Sequence, residues 1–350
     1  MPQGSETMKT NDIIDGIDIL EESVRSLDAA LLDILLYDRT TRKSIIWATT
    51  DYESIGIEYG ENEEITADLI TGHYANLIQP RVQKSANAQA GRTRCKAEVF
   101  TPSWVCNTQN NLVDAQWFGI PDLFNVTDGQ SWTATTTPIP FTDETKSWKK
   151  YVDAQRLEVS CGEAPYLVSR YDTVTGKAIP LKERIGLLDR KLRVVEENTS
   201  SPAEWLKWSQ RAFESVYGYE YQGDNLLLAR ENLLYTYVEY YYSHFSEAPD
   251  IEQLKKIARI ISWNIWQMDG VKLVVPGSCK PEEYHQFSLF DFIDQDAGVP
   301  TSETIYVCPG CLKGDVTKHT GIYCRIMDWR TKGSVPFLSM IGGGKKHGDI

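Results

Sequence analysis

The sequence predicts an α/β protein with a mostly parallel sheet. From about residue 150 onward, short apolar segments with strand propensity alternate with longer segments of helical periodicity. In addition, 41% of the 350 residues are hydrophobic, which is ample for a buried core. We expect four parts, listed here with their bounds: an N-terminal mostly helical region (1–95), an α/β domain (96–278), a small cysteine-rich lobe (279–330) and a flexible tail (331–350).

The formal net charge of −13 bears on function. A protein that grips the phosphates of a duplex normally presents a basic face, so we expect any contact with DNA to be local or made by a partner. No apolar run approaches the roughly 20 residues that a membrane span needs. The first residues also lack the basic-then-apolar order of a signal peptide, and we therefore expect a cytoplasmic protein.

The N-terminal region offers a few local signals. The apolar spacing over 18–36 is near 3.6 and predicts one amphipathic helix. The segment 43–50 is typical of a short strand, and 82–97 is a polar, basic linker. Thr101 and Pro102 predict a turn that begins a helix, because proline fits the first helical turn.

Within the α/β domain, the alternation begins with the strand "RLEV", which runs into a turn at Cys161–Gly162. Helices are expected over 179–198 and from Ser201, which occupies a capping-box position. The charged run "DRKLR" at 189–193 is predicted to be a solvated helix face, and the tyrosines at 235–242 are predicted to lie in the core of a long helix.

Three predicted strands end in residues suited to a ligand. Cys161–Gly162 follows the first strand, Glu220 the second and Asp269 the third. Ligands of open α/β sheets bind at the carboxyl ends of strands. One carboxylate there can accept hydrogen bonds from both ribose hydroxyls and the next from an exocyclic amine. Each acid alone is more often a helix cap or a solvated turn, but the three in this order favour a nucleoside site.

Four segments carry a resemblance to a known family. In order, "FTPSWV", "RLEVSCGEAPYL", "VYGYEYQGDNLLLARENLL" and "NIWQMDG" resemble the first motifs of the adenine-N6 DNA methyltransferases of restriction-modification systems. Most of the chain also resembles proteins described as restriction endonuclease subunit M. The resemblance implies a Rossmann-like fold that uses S-adenosylmethionine (SAM).

The resemblance also assigns roles to residues. The cofactor-binding positions that it implies are Phe100, Thr101, Pro102, Glu158, Cys161, Gly162, Tyr166, Glu220 and Asp269. The first three would lie beside the methionine part of SAM, Glu220 would bind the ribose and Asp269 the adenine amine. Glu158 and Val159 stand where the family has Asp and Pro. Ala164 stands where it has a second glycine, an exchange that could crowd the carboxyl end of the cofactor.

The catalytic motif of the family is absent. The family polarises the target amine with D/N/S-P-P-Y/F, and this chain contains no Pro-Pro pair. The nearest candidates are Asp328 and Trp329. We therefore expect a split enzyme, in which this chain binds the cofactor and a second methyltransferase or specificity subunit brings the catalytic loop and most DNA contacts. The alternative is a non-catalytic, methyltransferase-like subunit of a restriction complex.

The seven cysteines are uneven in spacing and suggest a metal site rather than a disulfide framework. Cys308 and Cys311 can hold two adjacent corners of a tetrahedral zinc, and Cys279 and Cys324 can complete a structural site. His319 could replace either outer ligand. The alternative is free thiols or a redox pair.

A short motif, "QFSLF" at 286–290, lies in the polar segment before these cysteines. It resembles the pentapeptide by which bacterial proteins bind the replication sliding clamp. The alternative, which we favour, is local packing of Phe287, Leu289 and Phe290 over the zinc lobe.

Overall fold

The structure, a computed structural model, describes residues 14–15, 17–85, 89, 92–93, 101–143, 145–286 and 303–341. The predicted cofactor position Phe100 and the motif residues 287–290 lie outside these ranges. None of the described helices is long and apolar enough to cross a bilayer.

The chain is a mixture of helices and strands. The N-terminal elements are β1 (Ile14–Asp15), β2 (Asp18–Ile19), α1 (Glu21–Leu27), α2 (Ala29–Leu36), β3 (Tyr37–Asp38), β4 (Lys43–Ser44) and α3 (Ala67–Ile70). They are followed by α4 (Ser103–Phe118), β5 (Asn125–Asp128), β6 (Ser131–Ala134) and α5 (Trp148–Asp153). The central elements are β7 (Arg156–Glu158), α6 (Leu187–Asn198), α7 (Pro202–Glu214), β8 (Val216–Glu220), α8 (Gly223–Phe245), α9 (Ile251–Asn264) and β9 (Ile265–Gln267). The C-terminal elements are β10 (Glu282–Gln286), β11 (Glu303–Val307), α10 (Pro309–Lys313), β12 (Arg325–Asp328), β13 (Gly333–Pro336) and α11 (Phe337–Ile341).

A parallel sheet of three strands, in the order β7-β8-β9, forms the centre of the described chain. The strands lie side by side in chain order and are connected by helices, as the alternation of segments predicts. Leu157 lies opposite Tyr217, and Gly218 lies opposite Ile265. The other described strands form antiparallel pairs.

The two faces of this sheet belong to different cores. Val216 and Ile265 join the main core, whereas Tyr217 and Trp266 join a second core that also contains Phe337 of α11. This division follows from the alternation of side chains along a strand. The predicted flexible tail is therefore wrong for the part up to residue 341, because Phe337 is buried there.

The predicted helix over 18–36 is broken in two. Asp28 between α1 and α2 has an extended backbone with φ −165°. Its Oδ1 accepts a hydrogen bond from the N–H of Ala30 at 2.8 Å, and its Oδ2 pairs with Lys255 at 2.7 Å. Asp28 caps α2, and an aspartate that caps a helix does not continue the one before it. Hydrophobic spacing alone cannot reveal such a break.

The charged run at 189–193 was predicted to be solvated, and this is wrong. Asp189, Arg190 and Lys191 are each about 1% exposed. The guanidinium of Arg190 pairs with Asp114 at 2.6 Å and donates to Asn107 at 2.9 Å, both on α4. The partners come from a helix some 80 residues earlier, so the local pattern could not show them. The prediction that the tyrosines of α8 lie in the core is confirmed for 235, 237, 240 and 241.

The N-terminal region is not separated from the sheet at residue 95. Leu35 and Trp47 belong to the same hydrophobic core as Val216 and Ile265. The buried guanidinium of Arg230 donates to the carbonyls of Leu35, Tyr37 and Ile265 and so joins α2, β3 and β9. The predicted boundary at 95/96 therefore does not divide the core.

Candidate functional site

The ends of the three parallel strands are joined by hydrogen bonds at one edge of the sheet. The N–H of Gly162, after β7, donates to Oε2 of Glu220 at 2.8 Å. The N–H of Met268, after β9, donates to the carbonyl of Glu220 at 2.9 Å. Asp269 follows directly. The sequence-predicted row of residues is thus brought together, with Glu220 in the middle.

The turn after β7 has an unusual backbone. Ser160, Gly162 and Ala164 have φ values of 48°, 52° and 63°. This left-handed region favours glycine and costs other residues about 1–2 kcal/mol. Ala164, where the resemblance implies a second glycine, thus keeps the backbone conformation that glycine favours. Ala164 has no exposed surface and belongs to the main core, so its methyl group does not project from the turn.

The carboxylate of Glu158 binds the backbone that follows this turn. Its Oε1 accepts from the N–H of Tyr166 at 3.2 Å and its Oε2 from the N–H of Leu167 at 3.1 Å. Burial raises the pKa of Glu158 to about 8, and the two N–H donors only partly oppose this. A longer acid than the family's aspartate therefore still binds the backbone of the following segment.

This raised pKa predicts a pH dependence of stability. Between the ordinary glutamic acid pKa near 4.5 and about 8, the folded chain binds more protons at Glu158 than the unfolded chain does. The free energy of unfolding therefore falls as pH rises through this window. Glu158→Gln cannot ionise, so its deficit in stability relative to the parent should be largest near pH 5 and should narrow near pH 9 in urea denaturation.

The control for this prediction is Glu183→Gln, which changes an exposed acid in the same way. Its difference from the parent should be the same at both pH values. A deficit of Glu158→Gln that stays constant with pH would contradict the assignment.

Glu220 is available to a ligand only in part. It is 7% exposed, and its Oε1 also accepts from the N–H of Gln222 at 3.2 Å. Burial raises its pKa, against the effect of these backbone donors. The N–H of Tyr221 also acts on this carboxylate, and these three backbone donors leave part of its four acceptor positions open. A free acceptor position of this kind suits a ribose hydroxyl, which donates its proton.

Asp269 is engaged more fully. Its Oδ1 accepts from the N–H groups of Val271 and Lys272 at 3.0 and 3.1 Å, and its Oδ2 pairs with the Lys272 ammonium at 3.2 Å. This is the turn-capping arrangement typical of an aspartate after a strand. An adenine amine would have to compete with Lys272 for it.

Thr101 and Pro102 lie beside the same segment. The carbonyl of Thr101 accepts from the hydroxyl of Thr173 at 3.1 Å, and the Tyr166 side chain is in hydrogen-bonding contact with Thr101. Pro102 precedes α4, as predicted, and the first N–H of that helix, from Ser103, donates to Asp172 at 2.7 Å. The described residues of the first two motifs are therefore neighbours.

A buried charge cluster at the same edge of the sheet was not predicted from the sequence. Asp224 begins α8 and pairs with Lys84 at 3.1 Å and Arg92 at 2.9 Å. The hydroxyl of Tyr52 also donates to it at 2.8 Å. Burial would raise the pKa of Asp224, but the two cations outweigh it and hold that pKa well below its usual range. Lys84 and Arg92 come from the predicted basic linker, and their clustered charge was the only signal.

Asp328 and Trp329, the weak catalytic candidates, lie at the opposite end of the sheet. The Trp329 indole donates to Asn264 at 2.8 Å, and Asn264 donates to the carbonyl of Val216 at the start of β8. A strand the length of β8 separates its two ends by about 13 Å. Asp328 caps the turn of its own hairpin by accepting from Arg330 and Thr331. The structure therefore does not place these two residues with the cofactor positions.

A cluster that could hold a metal lies in the C-terminal lobe. The Sγ atoms of Cys279, Cys308 and Cys311 lie 3.7, 3.5 and 3.6 Å from Nδ1 of His319. The four donor atoms lie within 4.8 Å of one another. Ligands of a tetrahedral zinc, with bonds of about 2.0–2.3 Å, are separated by roughly 3.5–3.8 Å. The spacing of the cluster fits that geometry.

Local structure positions these ligands. Cys308 precedes α10 and Cys311 lies one turn later, so both thiols face one point. A Cβ added at Gly310 would lie 2.6 Å from the backbone nitrogen of His319, so only glycine fits between them. Burial would raise the pKa of Cys308, but the N–H groups of Thr320 and Cys311 outweigh it and lower that pKa to about 5. The thiolate form suits a metal ligand.

Cys324 is not part of this cluster, and its selection as a ligand is a correction. It has no exposed surface, lies in the second core and donates from Sγ to the carbonyl of Gln267 at 3.3 Å. His319, the predicted alternative, is the fourth member of the cluster. Sequence spacing could not separate the two, because both follow Cys311 within a short loop.

No protein-family model matches the chain, and no curated protein or solved structure matches it.

Proposed function

We propose that the chain is the SAM-binding subunit of a DNA adenine-N6 methyltransferase of a restriction-modification system, with a Rossmann-like fold. A partner subunit would supply the N-P-P-Y loop and most contacts with DNA in a cytoplasmic heteromer. The observation that carries this proposal is the hydrogen bond from Gly162 to Glu220, within a turn that is left-handed at three residues including Ala164. It joins two of the positions that the resemblance assigns to the cofactor.

The residues at this edge fit SAM in part. Glu220 retains acceptor capacity for a ribose hydroxyl, and Gly162 gives the turn a surface without a side chain. SAM, when bound, supplies the electrophilic methyl group. The part of this chain is to bind and orient the cofactor, since methyl transfer is accelerated by alignment of the two reactants and exclusion of water.

A second candidate is a methyltransferase-like subunit that takes part in the complex without catalysis. Asp269 favours it, because this carboxylate is already occupied by two N–H groups and Lys272. The absence of a Pro-Pro motif is compatible with both candidates. The two candidates differ in whether replacement of Asp269 would abolish methylation or assembly of the complex.

We also propose that the Cys279, Cys308, Cys311 and His319 cluster holds a structural zinc. All four tetrahedral positions would be filled by protein, which leaves none for a reacting water.

Titration calorimetry of the purified chain with SAM tests the cofactor proposal. Glu220→Gln replaces a charged acceptor of two ribose hydroxyls, and hydrogen bonds to charged groups contribute about 1.5–3 kcal/mol each. Affinity should therefore fall by at least about tenfold. The matched control, Glu183→Gln, should bind as the parent does. The unfolding midpoint of each variant is measured as well, because Glu220 also holds the turn.

Absence of SAM binding by the parent chain at millimolar concentration, alone and in its native complex, would refute the proposal. If SAM binds, Asp269→Asn in the complex separates the two candidates. Loss of methylation with intact assembly supports an enzyme, and loss of assembly alone supports the accessory subunit.

A further inference from the structure

The first strand of the sheet has one open edge. β7 pairs with β8 on one side, and no described strand pairs with its other side. In a parallel ladder, alternate residues direct their N–H and C=O groups to opposite sides. The N–H of Arg156 donates to Ser215 at the start of β8, so the backbone groups of Leu157 and Val159 face the open side. An open edge of this kind is a template for another strand.

The side chains along this edge are apolar and exposed. Leu157 is 44% exposed and Val159 is 61% exposed. A groove of about 220 Å³ lies beside them, between Leu157 and the end of α11. Met340 and Ile341, which border the groove there, are 55% and 59% exposed. The edge therefore combines free backbone groups with an apolar surface.

One charged group of the same strand, on the face of the sheet opposite to the groove, lacks a partner. Nη2 of Arg156 is buried and makes no hydrogen bond within the described residues, while Nη1 reaches only the carbonyl of Gln155 at 3.3 Å. A buried guanidinium nitrogen without an acceptor is costly. The complementary surface would carry a carboxylate.

We propose that a partner subunit adds a β-strand to the open edge of Arg156–Glu158, parallel to it. The strand would pair with the backbone of Leu157 and Val159 and place an apolar side chain in the groove. Its neighbouring residue would face the opposite side of the sheet and direct a carboxylate at Arg156. Parallel sheets of α/β proteins favour the same direction for an added strand. The carboxyl end of such a strand lies beside the turn at Cys161–Gly162. The inference rests on the proposed function only in taking the occupant to be the partner subunit.

A second copy of this chain fits the edge less well. Two identical edges related by a two-fold axis pair in antiparallel orientation. The acid in that strand is Glu158, whose carboxylate is occupied by the N–H groups of Tyr166 and Leu167. It could not reach the partner's Arg156 without leaving them. A different chain is therefore the better occupant.

Residue-resolved hydrogen exchange tests the inference, on the full-length tagged chain alone and on the assembly purified with it from its native cells. The amides of Leu157 and Val159 should exchange freely in the isolated chain and at least about a hundredfold more slowly in the assembly. Leu157→Pro removes only an outward N–H, which an edge strand tolerates, and should prevent assembly without changing the unfolding midpoint. Leu157→Ala, the matched control, keeps the N–H and should still assemble.

Co-purification of another protein does not by itself support the inference. Either amide still exchanging freely in the assembly would overturn it, as would protection already present in the isolated chain. Recovery of the chain only as a monomer, or as a homodimer with a protected edge, would overturn it too. SAM binding is measured separately, so a protected edge without SAM binding would refute the proposed function and leave this inference standing.

Discussion

Cys311→Ser is expected to reduce the zinc content of the purified chain from about one equivalent to near zero. Cys311 is the exposed cysteine of the cluster, so serine at this position should disturb little except a bound metal. Structural zinc contributes about 10–16 kcal/mol of apparent binding free energy in small domains, and this depends on all four ligands. Metal content of the purified variant, determined by mass spectrometry, is the measurement.

The control for this experiment is Cys324→Ala. Cys324 lies in the second core rather than in the cluster, so this variant should retain its zinc even though it loses stability. Loss of zinc from Cys324→Ala, with retention in Cys311→Ser, would restore the ligand set expected from sequence. Retention in both variants would exclude this cluster as the zinc site.

Loss of the metal should also loosen a defined part of the chain. Cys279 comes just before β10 and Cys308 just after β11, so the cluster ties together the two open ends of this hairpin. Chelation should therefore increase amide exchange in β10 and β11 while leaving β7, β8 and β9 protected. Unchanged exchange in the hairpin after the zinc has been removed would refute a structural role.

Arg230→Met is expected to lower the free energy of unfolding by about 3–5 kcal/mol. The substitution keeps the apolar volume but leaves the buried carbonyls of Leu35, Tyr37 and Ile265 without their donor. An orphaned buried acceptor costs about 1–3 kcal/mol, and the guanidinium satisfies three of them. Urea denaturation at neutral pH measures the effect.

Arg259→Met on α9 is the matched control, because Arg259 is exposed. Its stability should stay within about 0.5 kcal/mol of the parent. A loss below about 1 kcal/mol in Arg230→Met would mean that water replaces the guanidinium, and the N-terminal region would then not depend on this residue for its attachment.

The parallel strands and their ends could be predicted because their signals are local. Val216–Glu220 and Ile265–Gln267 are short apolar runs followed by a turn residue, and the N-cap of α7 at Ser201 is visible in the sequence. Neither feature depends on a distant partner. The hydrogen bond between Gly162 and Glu220 then follows from the parallel order of the strands.

The failed predictions share a different cause. Arg190 is buried because Asp114 and Asn107 on α4 compensate its charge, and no periodicity of α6 contains that information. Cys324 and His319 both follow Cys311, and they are equivalent candidates until the path of the chain is known. Only packing decides which one meets Cys279.

The contact between Ile46 and Gln267 has a consequence for how the chain is made. Gln267 both donates to and accepts from the backbone of Ile46, and these two residues are 221 positions apart in sequence. During synthesis on the ribosome, the N-terminal region therefore emerges long before β9, the strand that completes its environment. Contacts of such long range slow folding and leave apolar surface exposed meanwhile. Trp47, fully buried in the finished protein, therefore reaches its final environment only after most of the chain has been translated.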